Sequence, residues 1–162
     1  MTTIVADFRT KTMVSDTRCS YGSTHFRMQK IHQMPDGTLI GFSGSVNEAT
    51  KFVEWFKAGA NKGIPPVFGE EPFDALTMNG DGIYLWDSSL MGTKIFQDFF
   101  AVGSGAQYAL GALKAGATPD RAVEIATEED SMSGLPLDVR AYLPVDKKPS
   151  RKPPVRKAKK AS

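Results

Sequence analysis

Hydrophobic and polar positions alternate in short runs along much of the chain, and this pattern predicts strands. TIVADF and KTMVSDT are predicted as one antiparallel pair, while MQKIHQM and TLIGFSG flank a PDG turn and are predicted as a second hairpin. FDALTMNGDGIYLW repeats the strand, turn, strand pattern with NGDG as its turn. KIFQDFFAVG and LPLDVRAYL are each predicted as one further strand.

Apolar residues recur at helical spacing in three other places. Ser45, with a glutamate three residues later, predicts a capped helix over about residues 46–59. A second helix is predicted just beyond Gly103 in SGAQYALGALKAG, and a third begins at Thr118 with a proline in its first turn. The glycines and prolines of GANKGIPPVFGEEP predict a loop.

The order of these elements indicates an α+β fold. Blocks of strands are separated by one helix and then by two, which differs from the strict alternation of a parallel sheet. The sequence therefore predicts two antiparallel sheets packed face to face with helices outside, a four-layer αββα sandwich.

Composition narrows the class of protein. A chain of 162 residues with 41% hydrophobic content suits one ordinary domain, predicted over residues 1–143. No apolar run reaches the ~18 residues of a membrane helix and the N-terminus does not resemble a signal peptide, so a cytoplasmic protein without membrane contact is expected. Cys19 has no second cysteine to pair with, and His25 and His32 lack metal-ligand spacing, so neither metal nor cofactor is expected.

Charge is divided unevenly along the chain. Residues 144–162 contain eight of the 20 Lys and Arg but one of the 18 Asp and Glu, which leaves residues 1–143 with a formal charge of −5. Four prolines and dense like charge predict that 144–162 is a disordered tail. Such a tail either attaches to nucleic acid or another acidic partner, or is only a solubilising extension.

The first residues suggest a chemistry. Met1 is normally removed before a residue as small as threonine, and Thr2 would then carry a hydroxyl nucleophile and a free α-amine together. Such a nucleophile also needs a lysine, a carboxylate and amide donors, and the candidates are Asp16, Lys30, Gly41, Ser104 and Asp130. Each also has a structural explanation: a surface ion pair, a close-packed glycine, a helix N-cap or an acidic helix end.

Taken together, six elements in order resemble a known family. TTIVADF, VSDTR, MQKIHQM, GTLIGFSGS, AVGSGAQYA and EEDSMSG are similar to proteasome β-subunits and to the related bacterial peptidase that works with an ATP-driven unfoldase. The resemblance implies an N-terminal nucleophile hydrolase fold and a catalytic Thr2. It implies these further site residues: Asp16 beside Arg18, Lys30, Gly41 after Ile40 as the oxyanion donor, Ser104, Asp130 and Ser133.

The resemblance also implies a function and partners. It implies a threonine-type endopeptidase that acts through an acyl-enzyme on peptides or unfolded proteins, and a homo-oligomer. A partner unfoldase would be a separate chain, because no GxxxxGK motif occurs here. The alternatives are a small-molecule amidase of the same fold, or an assembly protein with a vestigial site and a basic tail.

Two finer expectations follow from the same resemblance. Leu39, two residues before Gly41, would line the first specificity pocket and favour apolar or aromatic side chains. Cys19 lies near this pocket by position, or is simply a small buried residue.

The family has two long helices where this sequence predicts one, so one helix is expected to be missing along with the contacts it makes between subunits.

Overall fold

The computed structural model of the protein describes residues 1–60 and 62–145. The strands in this part of the chain are β1 (Thr3–Asp7), β2 (Thr12–Asp16), β3 (Arg18–Tyr21), β4 (Thr24–Arg27), β5 (Ile31–Gln33), β6 (Leu39–Gly44), β7 (Phe73–Asn79), β8 (Gly82–Trp86), β9 (Thr93–Ile95), β10 (Phe99–Gly103) and β11 (Leu137–Ala141). The helices are α1 (Val46–Lys57), α2 (Ala106–Lys114) and α3 (Pro119–Glu129). The predicted tail lies outside the described residues except for Pro144 and Val145.

The strands form two main antiparallel sheets. One sheet has the order β10-β1-β2-β11, and the other has the order β5-β6-β7-β8-β9. The three hairpins expected at the start of the chain, around PDG and around NGDG are all present as β1-β2, β5-β6 and β7-β8. β3 and β4 form a separate two-stranded hairpin.

Three clusters of buried apolar side chains hold the layers together. The first, around Ile4, Met13 and Leu76, lies between the two sheets. The second packs α2 and α3 against the four-stranded sheet, and the third packs α1 against the five-stranded sheet around Phe52 and Phe73. The layer order is therefore helix, sheet, sheet, helix, which confirms the predicted α+β class.

One strand prediction was wrong, and one hairpin was not predicted. KIFQDFFAVG is not one strand, because β9 pairs with β8 while β10 pairs with β1 in the other sheet. The intervening residues carry the chain across, with the N–H of Phe8 donating to the carbonyl of Asp98 at 2.7 Å. The hairpin of β3 and β4 was not predicted, because β4 is exposed, β3 is only partly buried, and neither shows a hydrophobic alternation.

The N-terminus of helix α1 has only one of the two hydrogen bonds of a capping box. The Ser45 hydroxyl accepts from the Glu48 N–H at 3.4 Å, as expected. The Glu48 carboxylate does not return to Ser45 but accepts from the N–H of Gly69 at 2.8 Å and from Lys51. Glu48 thus ties the segment after α1 to that helix. Residues 62–72 contain no helix, so in the described chain α1 alone lies between β6 and β7.

The direction of β6 relative to β1 decides which residues can meet. A side chain at Gly37, before β6, would contact Tyr142, whose N–H donates to the carbonyl of Lys11 in the turn between β1 and β2. Gly41, in the middle of β6, lies against Ile4 of β1. Because β6 continues in this direction, its last residue, Gly44, lies toward the end of the sandwich where β1 begins.

Candidate functional site

The first residues of the chain enter the core directly. Thr2 and Thr3 are 6% and 0% exposed, because β1 is flanked by β10 on one side and by β2 on the other. Gly103 at the end of β10 has a φ of +99°, and a side chain there would collide with the Thr2 carbonyl. Glycine is therefore required where β10 passes the beginning of β1.

A buried ion pair lies beside these residues. Lys30 Nζ and Asp16 Oδ1 are 2.8 Å apart, and the two side chains are 1% and 0% exposed. Asp16 also accepts from three backbone N–H groups, those of Thr3 at 3.0 Å, Arg18 at 3.1 Å and Gly134 at 2.9 Å. The pair is therefore not the surface ion pair that was its ordinary explanation.

The remaining contacts of Lys30 point to the N-terminus. Its Nζ donates to the carbonyl of Arg18 at 2.6 Å and to the carbonyl of Met1 at 3.2 Å. Burial lowers the pKa of Lys30, although the negative charge of Asp16 opposes this effect. The structure thus places a desolvated lysine against the peptide that joins Met1 to Thr2.

A second polar group approaches from the opposite side. Asp130 Oδ2 accepts from the hydroxyls of Ser104 and Ser133, each at 2.6 Å, and Oδ1 accepts from the Met132 N–H at 3.1 Å. Burial on its own would raise the pKa of Asp130, but these hydrogen bonds outweigh it and lower the pKa. Gly105, not Ser104, is the N-cap of α2, so the Ser104 hydroxyl is directed to Asp130 and does not cap the helix.

The two groups meet at the beginning of β1. Ser104 Oγ lies 3.4 Å from the Thr2 carbonyl, and the positive charge of the chain's N-terminal amine further lowers the Asp130 pKa. Among the hydrogen bonds of residues 1–60 and 62–145, with Met1 in place, none joins the Thr2 hydroxyl to Lys30. The structure therefore brings the predicted lysine, carboxylates and serines around Thr2, while that contact is not formed.

Gly41 occupies a different environment from that expected of an oxyanion donor. It lies in the middle of β6, paired with Ile31 on one side and Leu76 on the other. A side chain at Gly41 would come within 2.8 Å of Ile4 and 2.9 Å of Met13, so the glycine serves the close packing of the two sheets. Leu39 is 0% exposed in the same core, which separates it from any open specificity pocket.

Gly44, the last residue of β6, has a different environment from Gly41. Phe42 donates its N–H to the Lys30 carbonyl at 3.3 Å, so in a regular strand alternate residues of β6 direct their N–H groups toward β7 and toward Lys30. On this alternation the Gly41 N–H faces Leu76, and Gly44 lies beyond the part of β6 that β5 pairs with. Gly44 is exposed and has a φ of +89°. Spacing alone does not separate the two glycines in the sequence.

The apolar side chains nearest to Gly41 in β6 do not form an open pocket next to Lys30. Phe42 is 4% exposed, stacks on His32 with ring centroids 5.8 Å apart, and packs with the partly buried Met28 in the cluster on the α1 side of the sheet. Cys19 in β3 is half-buried and close enough to Lys30 to influence its pKa.

Residues 1–60 and 62–145 contain no group of three or more His, Cys, Asp or Glu side chains arranged to hold a metal ion. No helix among them is both long and apolar enough to cross a membrane.

Solved structures with this fold include three kinds of protein. Eukaryotic HslV from Trypanosoma brucei is 21% identical and superposes with a TM-score of 0.64 over 85% of this chain and 97% of its own. BPH from Thiobacillus denitrificans is 20% identical, with a TM-score of 0.65 over 90% and 100%, and has also been solved in complex with epoxomicin. The Anbu (Gly-1) mutant from Hyphomicrobium sp. strain MC1 is 12% identical, with a TM-score of 0.66 over 88% and 81%.

These likenesses establish the fold. No protein-family model and no curated protein matches the sequence. The chain shares the architecture of HslV-like and proteasome-like N-terminal nucleophile hydrolases, which confirms the predicted resemblance at the level of the fold. At 12–21% identity the activity has to be argued from the residues of this chain.

Proposed function

We propose that this protein is a threonine-type endopeptidase whose nucleophile is Thr2, exposed by removal of Met1. The observation that carries this proposal is the buried Lys30–Asp16 pair, whose lysine also contacts the carbonyl of the residue joined to Thr2. Burying a lysine charge costs folding free energy, so a buried lysine is most readily explained by a functional role. An N-terminal threonine beside Lys30 provides such a role.

The nucleophile and its base would belong to one residue. After Met1 is removed, the free Thr2 amine lies between Lys30 and the Ser104–Asp130 pair and accepts the hydroxyl proton, directly or through a water held by Ser104. The Lys30 charge favours the alkoxide that develops on Thr2 Oγ. Asp16, held by three N–H groups, keeps Lys30 in place.

The peptide carbonyl would be stabilised by a backbone amide during attack. The direction of β6 favours the Gly44 N–H for this role in place of Gly41, and such a donor contributes on the order of ~3 kcal/mol to the transition state. Collapse of the tetrahedral intermediate releases the amine product and leaves an ester on Thr2. Water activated by the same amine then hydrolyses the ester.

The preference expected at the cleaved position is for apolar or aromatic residues, as the resemblance implies through Leu39. Leu39 itself is fully buried in the core, so the side chains that would contact the substrate have to be found by experiment. Fluorogenic peptides that differ only in the residue at the cleaved position measure the preference, and faster cleavage after acidic or basic residues would exclude it.

We also propose that the protein is a cytoplasmic homo-oligomer that receives unfolded chains from a separate ATP-driven unfoldase. The β3-β4 hairpin supports self-association, because Tyr21 and Phe26 are 83% and 48% exposed on it. Native mass spectrometry of the wild type and of a Tyr21→Ser, Phe26→Ser double variant tests this. A wild type that is monomeric at micromolar concentration would contradict it.

The decisive experiment is intact-mass analysis of protein with a native N-terminus, before and after incubation with an epoxyketone. This reagent requires the hydroxyl and the free amine of one N-terminal threonine. Loss of Met1 and a single stoichiometric adduct are expected for the wild type and for the control Thr10→Ala, whose threonine is exposed. No adduct is expected for Thr2→Ala. Retained Met1 or an unmodified wild type would refute the proposal and favour a vestigial site.

A further inference from the structure

Thr3, the neighbour of the proposed nucleophile, forms hydrogen bonds to two groups of the site. It is fully buried, and its N–H donates to Asp16 Oδ1 at 3.0 Å. Its hydroxyl lies 2.7 Å from the hydroxyl of Ser133. Thr3 therefore joins the Lys30–Asp16 pair on one side of the N-terminus to the serine and aspartate group on the other.

The direction of the hydrogen bonds between these groups can be assigned. Ser133 has one hydroxyl proton, and it donates that proton to Asp130 Oδ2 at 2.6 Å. Since the Asp130 pKa is lowered, this carboxyl group is an acceptor near neutral pH. The Thr3 hydroxyl must then be the donor to Ser133, and the chain of donors runs from Thr3 through Ser133 to Asp130.

Gly105 leaves the room that the Thr3 hydroxyl occupies. A side chain at Gly105, where α2 begins, would collide with Thr3 Oγ1 and approach Thr3 Cβ to 3.2 Å. Among the described residues, Ser133 is the hydrogen-bond partner of this hydroxyl. A buried hydroxyl needs only one partner to be satisfied, but here that partner belongs to the proposed catalytic group.

We propose that Thr3 is a positioning residue: its hydroxyl orients Ser133, and through Ser133 and Asp130 it sets how well the Thr2 amine serves as base. This inference rests on the proposed function. A hydroxyl that accepts a hydrogen bond becomes a stronger donor, so Thr3 strengthens the bond from Ser133 to Asp130. The charge of Asp130 is then better compensated and holds the ammonium form of the Thr2 amine less tightly.

Lys30, Asp16 and Arg18 are the other charged groups near the amine, and in the described part of the chain none of them hydrogen-bonds to the Thr3 hydroxyl. Gly134, the residue after Ser133, also donates its N–H to Asp16 at 2.9 Å. Removing the Thr3 hydroxyl should therefore act on the amine through Ser133.

The test compares Thr3→Val, which replaces the hydroxyl by a methyl group, with Thr3→Ser, which keeps it, in full-length protein lacking Met1. The rate of epoxyketone adduct formation is measured against pH. Thr3→Val should react about fivefold more slowly near neutral pH, the factor that one ordinary hydrogen bond supplies, with its acid limb moved to higher pH. Thr3→Ser should restore the wild-type rate and profile.

A double variant separates positioning from packing. If Thr3 acts through Ser133, Thr3→Val combined with Ser133→Ala should be no slower than Ser133→Ala alone. Equal rates for the wild type and Thr3→Val, equal losses in Thr3→Val and Thr3→Ser, or fully additive losses would each overturn the proposal. Thermal unfolding of each variant shows that the protein compared is folded.

A second measurement does not require catalysis. The pH dependence of carbamylation of the Thr2 amine by cyanate, followed by mass, gives the pKa of that amine even if no epoxyketone adduct forms. A wild type without adduct would remove the proposed function. In that case, a raised amine pKa in Thr3→Val with an unchanged one in Thr3→Ser would still support the role of Thr3, and unchanged values in both would overturn it.

Discussion

Replacement of Lys30 by methionine should separate the stability of the site from its chemistry. Methionine keeps much of the length of the side chain but removes the charge, and it leaves Asp16 fully buried without its cationic partner. Breaking one side of a buried ion pair costs about 3–5 kcal/mol. Three backbone N–H groups still hold the Asp16 carboxylate, so the expected loss lies near the lower end, about 3 kcal/mol.

Urea unfolding followed by circular dichroism at neutral pH measures this loss, and the epoxyketone assay measures reactivity in the same samples. The double variant Asp16→Asn, Lys30→Met removes both charges and should remain unreactive. It should recover only part of the free energy of unfolding, because the asparagine NH2 group must face a backbone N–H that the carboxylate accepts in the wild type. A Lys30→Met protein that loses less than about 1 kcal/mol would refute the argument that burial makes the pair interdependent. Wild-type labelling of either variant would refute the catalytic role of Lys30.

Three further predictions concern single features. The pKa of Asp130 is lowered in the folded state, so its contribution to stability is present above the unfolded pKa of about 3.9 and is lost as the pH falls through the folded value. Asp130→Asn should therefore flatten the acid limb of a curve of unfolding free energy against pH. An unchanged acid limb would contradict this. Gly41→Ala should lower the free energy of unfolding by about 1–3 kcal/mol, because its methyl group would meet Ile4 at 2.8 Å; a neutral effect in urea unfolding would show that the sheets are packed less closely. Residues 146–162 contain eight basic residues and one acidic residue, so the full chain is expected to bind a DNA oligonucleotide at about 50 mM salt and to release it at about 200 mM. A chain without these residues should not bind; equal fluorescence anisotropy for both chains would leave the tail as a solubilising extension.

Much of the fold could be predicted because its signals are local. The PDG and NGDG turns identify two hairpins, and Ser45 identifies the start of α1, since each depends on residues a few positions apart. The division of KIFQDFFAVG between two sheets could not be predicted, because the run is framed by apolar residues and Phe96, which looks like a strand residue, is 89% exposed where the chain crosses. The β3-β4 hairpin was missed because β4 is exposed and β3 is only partly buried, which leaves no buried face to read in the sequence.

The candidate site shows the same division. Thr2, Asp16, Lys30, Ser104, Asp130 and Ser133 were implied by the resemblance of six ordered motifs to a known family, and the structure brings them around the beginning of β1. Gly41 and Gly44 are three residues apart in one strand, and the sequence offers no way to tell which amide is free. Only pairing with β5 and β7 distinguishes them.

The sequence by itself determined the class of fold, the position of the N-terminal threonine and the set of groups that could serve it. The tertiary structure alone decided that Lys30 and Asp16 are buried together, that Gly41 lies against Ile4 between the two sheets, and that the Thr3 hydroxyl meets Ser133. The physical reason is that turns, caps and periodicity depend on neighbours in the chain. Burial, hydrogen-bond direction and the approach of the two sheets depend on residues that lie up to 130 positions apart.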